Sequence, residues 1–250
     1  MSLRLSAIGD LFYRFQPRAL LAAVGLLFSV FAGAAAFAPA EREAVPWQAG
    51  EKLIYRATWQ GMVAGQFQLE AQPLERGWSF RGRMTPQGVG TLLGYSLELD
   101  SQVGTDLFLT RYRKLLTEPF KGQTRLEVAL QNSGLEATIT HPNGAKGGWR
   151  NATREALDDL SVIYYIRVHP EAQSVRLVQF PRIIEGRLEN LGKNREGLWG
   201  YRFVQEDAVV EVWYRNDPER TPVRIVYGRD LGRVEASLVE TPRRVKSPDR

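Results

Sequence analysis

The chain has 250 residues, no cysteine, and 33 Lys and Arg against 28 Asp and Glu. The lack of cysteine excludes disulfides, thiol nucleophiles and thiolate metal sites. A net charge of +5 is too balanced to argue for nucleic acid.

Arg4, Arg14 and Arg18 precede an uncharged run from Ala19 to Ala40 that ends in Ala34-Ala35-Ala36 and Ala38-Pro39-Ala40. A basic lead, an apolar centre and a small-residue exit describe a secretory signal peptide, with cleavage expected after Ala36 or Ala40. The run is also long enough to cross a bilayer about 30 Å thick, so an uncleaved inner-membrane anchor is the alternative. Either reading keeps the arginines cytoplasmic and puts the rest in the periplasm. Residues 1–36 are therefore set aside as signal or anchor. The remaining 214 residues carry 30 basic and 27 acidic side chains, a net +3, and suffice for one β-rich domain over 47–240.

From about residue 50 the apolar pattern has period two, the period of a strand. Leu53, Tyr55, Ala57 and Trp59 alternate with Lys52, Ile54, Arg56 and Thr58, and Trp78, Phe80 and Met84, and Tyr95, Leu97 and Leu99, alternate with polar neighbours. Leu126, Val128 and Leu130 face Leu135, Ala137 and Ile139 across Asn132-Ser133-Gly134, which predicts a hairpin. Trp199, Tyr201 and Phe203 lead to Val210, Val212 and Tyr214 across Glu206-Asp207, and Val223, Ile225 and Tyr227 to Val234, Ala236 and Leu238. Such alternation gives one apolar and one wet face, hence antiparallel sheet. The expected fold is mainly β: a curled antiparallel sheet or incomplete β-barrel of about ten to twelve strands, with one covering α-helix.

That helix is predicted over Thr153–Val168, where Leu157, Leu160, Ile163, Tyr164 and Arg167 share a stripe. Asn151 or Thr153 would cap it, and Pro170 would end it. Residues 241–250, with Arg243, Arg244, Lys246 and Arg250, read as a disordered basic tail able to touch an anionic membrane weakly.

Candidates for chemistry are few. His141 lies in a turn signature and His169 at the helix end, and neither has metal-ligand spacing around it. Gly88-Val89-Gly90 and Gly94 lack phosphate-loop spacing and read as a loop entering a strand. Asp158-Asp159 suits a helix start better than a catalytic dyad. Trp213 to Arg224 is the densest polar-aromatic stretch; it reads as a charged hairpin tip, or as a rim of arginines able to hold an anionic head group. No metal or cofactor is called for.

Gly50-Glu51-Lys52-Leu53-Ile54-Tyr55, then Trp59 to Gly65, then Asp158 to Arg167, and finally Trp213, Asp217 and Pro222-Val223-Arg224 occur in an order with a parallel elsewhere. Over roughly residues 47–240 the chain resembles the exported bacterial family catalogued as domain of unknown function 3108. That resemblance implies a periplasmic β-rich domain with no established activity, and carries over no catalytic residues. The chain departs from the commoner family helix start, which has proline where Asp159 stands, and looks shorter near Gly192 to Arg195.

The expected function is a non-enzymatic binding module for a lipid or other apolar ligand, held on an aromatic concave face. Its expected lining is Tyr55, Trp59, Phe67, Trp78, Phe80, Leu97, Tyr164, Trp199, Phe203 and Tyr214. One alternative is an envelope assembly or adaptor protein that docks a protein partner through a strand edge. A second is a hydrolase of envelope glycan or lipid using carboxylates. Membrane contact is expected only through the N-terminal segment or the tail.

Overall fold

A computed structural model describes residues 45–118, 120–179, 182–205, 208–229 and 232–240. The expected signal or anchor, the tail and the Glu206-Asp207 turn lie outside the described residues. Among the described residues no helix is long and apolar enough to cross a membrane.

The strands are β1 (Glu51–Trp59), β2 (Met62–Pro73), β3 (Trp78–Pro86), β4 (Ser96–Val103), β5 (Leu109–Glu118), β6 (Gly122–Gln131), β7 (Gly134–Thr140) and β8 (Lys146–Asn151). They continue as β9 (Ser174–Gln179), β10 (Arg182–Lys193), β11 (Trp199–Gln205), β12 (Ala208–Tyr214), β13 (Pro222–Arg229) and β14 (Gly232–Glu240). Two helices interrupt them, α1 (Val89–Leu93) and α2 (Ser161–Val168). All fourteen strands form one open sheet in the order β8-β7-β6-β5-β4-β3-β2-β1-β14-β13-β12-β11-β10-β9, antiparallel throughout. The chain winds outward from β1 to β8, crosses, and winds back from β9 to β14, which pairs with β1 through Trp59↔Val234 and Tyr55↔Leu238. β8 and β9 are its two ends, so the sheet does not close into a barrel.

This path sorts the connections onto two rims. The upper rim receives the ends of β1, β3, β5, β7, β9, β11 and β13. The lower rim holds the others, and the β8-to-β9 crossing that carries α2 starts and ends there.

The predicted pairings are found residue for residue. Leu126 faces Ile139, Val128 faces Ala137 and Leu130 faces Leu135. Trp199 faces Tyr214, Tyr201 faces Val212 and Phe203 faces Val210. Fourteen strands replace the expected ten to twelve because some carry little apolar signal: β8 has no buried residue and β10 buries only Leu188.

Two helix expectations are corrected. The covering helix is eight residues rather than the predicted Thr153–Val168. The segment before it runs extended, with Leu157 in a parallel bridge to Leu177. The Leu157 amide donates to the Arg176 carbonyl at 2.8 Å, and the Val178 amide to that of Leu157 at 2.9 Å. Neither Asn151 nor Thr153 caps α2; Asn151 Oδ1 accepts the Thr153 amide in a turn. The start belongs to Asp158, whose Oδ1 accepts the amides of Leu160 at 2.8 Å and Ser161 at 3.1 Å. The second correction is α1, a single turn of helix where a strand entry was expected after Gly88. Gly90 lets it lie on β2, since a Cβ there would stand 1.9 Å from the Ala64 carbonyl oxygen.

α2 is buried from Ser161 through Arg167, so it is a plug rather than a surface cover. Tyr164 stacks on Phe80 with ring centroids 3.9 Å apart, and Trp47 packs edge-on against Trp78, Phe80 and Tyr164. Gly82 makes room for the helix start: a Cβ there would lie 2.9 Å from Leu160.

Candidate binding groove

The last turn of α2 brings Arg167 to the lower rim with its side chain fully buried. Glu51 of β1 accepts from it twice, at 2.6 and 2.9 Å. The Glu219 carbonyl accepts from its Nη2 at 2.7 Å and its Nε at 3.1 Å, and the Pro46 carbonyl accepts at 3.2 Å. The rings of Trp47 and Tyr164 flank the guanidinium at 5.3 and 5.4 Å. Burial alone would lower the pKa of Arg167, but the Glu51 carboxylate overrides it and the group is held charged. Arg167 thus ties the chain's entry, the plug and the β12–β13 loop together.

That loop is fixed on its other side too. Arg220 donates to the Arg167 carbonyl at 3.0 Å, Tyr214 OH to the Ile163 carbonyl at 3.0 Å, and Tyr55 OH to the Pro222 carbonyl at 2.8 Å. Trp199 Nε1 donates to Asn216 Oδ1 at 2.8 Å.

Between this loop and the end of α2 lies a groove of about 790 Å³. One wall is Ile166, Arg167, Val168, Pro170 and Glu171; the floor is Asn190, Trp199, Tyr201 and Tyr214; the far wall is Arg215 to Pro218 with Arg220, and Pro46 closes one end. Burial raises the pKa of Tyr201 and Tyr214, with arginines pulling in the opposite sense, so both phenols are neutral donors at physiological pH. At the mouth two arginines, Arg215 and Arg220, stand with two carboxylates, Glu171 and Asp217. Asp217 Oδ1 is shut off from solvent and has no hydrogen-bond partner. Among its lining, the groove therefore offers an aromatic floor and cationic donors.

Of the ten residues expected to line a cavity, Trp199 and Tyr214 line this groove. Tyr55, Phe67, Phe80, Leu97, Tyr164, Phe203 and Tyr214 itself are at most 2% exposed and belong to the packed core. Trp59 and Trp78 are half-buried against that core. Tyr201 was missed although it sits between Trp199 and Phe203 in the same alternation. Pro46, Asn190, Pro170 and Glu171 carry no local signal; only the topology brings them together.

The two aspartates form a separate buried cluster. Asp158 accepts hydroxyl hydrogen bonds from Ser101 and Ser161 besides the two amides it caps. Burial pushes its pKa up to about 6 against those bonds. Asp159 accepts from Tyr112 and pairs with Lys114 at 2.9 Å; burial raises its pKa while Lys114 opposes the rise. Neither aspartate lines the groove. Together they pin the start of α2 to β4 and β5. His141 closes a turn, its amide bonded to the Ala145 carbonyl, and His169 lies against Tyr165 at the end of α2.

No family model matches the chain, and no curated protein matches it. Solved structures do: one is a β-barrel-like protein of domain of unknown function DUF1849 from Brucella abortus. The likeness is 11% in sequence with a TM-score of 0.49, and covers 77% of this chain and 97% of that one.

Proposed function

We propose that the protein is an exported, non-enzymatic binding module that takes a lipid, or another ligand with an apolar part and a polar head, in the lower-rim groove. The observation that carries this is the juxtaposition of Trp199, Tyr201 and Tyr214 with Arg215 and Arg220. The groove's volume suits a small-molecule site, for which about 300–1,000 Å³ is usual. Arginine forks suit a phosphate or carboxylate. The apolar part would rest on the aromatic floor. Periplasmic location, and kinship with the exported 3108 family, belong to the same proposal; the leader pattern of residues 1–36 and the motif order support them.

Native mass spectrometry with solvent extraction, on the protein purified from its exported form, tests this. The expected result is a defined bound mass that extracts into organic solvent and is lost in Trp199→Ala and Arg215→Glu. A clean ligand-free mass that does not shift with phosphatidylethanolamine or phosphatidylglycerol would overturn it. The adaptor reading would then lead, because the outer edge of β8 pairs with no described strand.

A further inference from the structure

Six large apolar residues are strongly exposed among the described residues, and four of them lie on the upper rim of the β1–β8 half. Met62 and Val63, 46% and 41% exposed, open β2 beside the first turn. Leu92, 87% exposed, points out from α1. Phe120, 99% exposed, is the tip of the β5–β6 hairpin. Register puts these on one end: Ser96, two residues after Gly94, pairs with Thr117, three before Phe120. At about 4.8 Å per strand they spread over some 15–20 Å of rim.

The charge around them is one-sided. The turns 60–61, 87–95, 119–121 and 141–145 contain no Asp or Glu, and they carry Lys121 with Lys146 just beyond. Lys121 pairs with Glu118 at the strand end, while Lys146 is exposed. The lower-rim connections of the same half contain Glu75, Asp106 and Glu155, with Arg76 and Arg154 beside the two glutamates. Phe120 also holds φ 59, a conformation a bulky residue rarely adopts, and its ring gains almost no packing in return.

We propose that this rim is a membrane-contact edge, with Phe120, Leu92 and the Met62-Val63 pair entering the interface of a bilayer that contains anionic lipid. A protein interface buries a contiguous apolar centre. Here Phe120 stands on a hairpin tip of its own, separated by β3 and β4 from the start of β2 on which α1 lies, which suits insertion of single side chains among head groups, with lysine beside them. This stands apart from the groove, which lies on the other rim.

The absence of native cysteine makes the test direct. Leu92→Cys, Phe120→Cys and, on the lower rim, Ser133→Cys are each labelled in the full chain with a polarity-sensitive fluorophore. Each is then mixed with vesicles of phosphatidylethanolamine and phosphatidylglycerol. Labels at 92 and 120 are expected to shift to the blue and to be quenched severalfold by brominated acyl chains, while that at 133 keeps its aqueous emission. Attachment through the N-terminal segment alone would leave all three labels aqueous and overturn the proposal. Quenching at 133 but not at 92 and 120 would overturn it as well. The exposure of the two upper-rim positions makes misfolding of these variants no rival explanation, and an unchanged melting temperature checks it.

Discussion

Phe80 in β3 and Trp199 in β11 are both aromatic positions that alternate with polar or glycine neighbours. Phe80 is fully buried under Tyr164, whereas Trp199 is half-buried on the floor of the groove. The difference runs through the two halves of the sheet. The β1–β8 half is filled by α2, pinned there through Asp158 to Ser101 and Asp159 to Tyr112 and Lys114. The β9–β14 half is packed as well around Phe203 and Val212, but beside the last turn of α2 its aromatic positions floor the groove. A strand's alternation therefore decides which side chains face inward, while what they meet is decided by an element from elsewhere in the chain.

Four changes test this contrast. Arg167→Ala should cost the most, about 3–5 kcal/mol, because it strands Glu51 and the Glu219 carbonyl beside a buried gap. Denaturant unfolding measures it, and a loss below about 1 kcal/mol would mean that the buttress is not needed. Phe80→Ala should follow at about 3–4 kcal/mol, the cost of a cavity where packing is complete.

The third change is in pH. Asp158 has its folded pKa raised to about 6 from an ordinary 3.8, so its proton favours the folded state. Stability is then fully present below about pH 4 and falls as pH rises through 6, by about 3 kcal/mol for this group. Asp159, also raised, adds in the same sense. Asp158→Asn should keep the low-pH stability and flatten the curve in that window; an unchanged curve would remove Asp158 from the account. The smallest effect on stability should come from Trp199→Ala, under about 1 kcal/mol by thermal unfolding, although under the proposed function it would abolish ligand retention. Should Phe80→Ala and Trp199→Ala prove equally costly, the filled and open halves would not differ as described.

Much of the sheet was legible because alternation is local. The partners of Leu126, Val128, Tyr201 and Phe203 follow from a turn and a period of two. The helix boundary was not, because Leu157 fits a helical stripe as well as it fits an extended segment along β9. Of the groove, the Arg215–Arg220 stretch was legible as arginine beside aromatics. Arg167 was visible only as the last member of a stripe. Its partners Glu51 and Glu219 lie 116 and 52 residues away, and no spacing rule links them.

The seam between β1 and β14 also bears on assembly. Thr58 and Glu235, joined there by a hydrogen bond, are 177 residues apart. Each meander can zip up from neighbouring hairpins as its residues become available, but the outer edge of β1 has no ladder until the final strand arrives. For most of synthesis the middle of the finished sheet is thus a bare edge, open to any passing strand. Chains truncated within β14 should be recovered as edge-paired aggregates rather than as slightly weakened monomers.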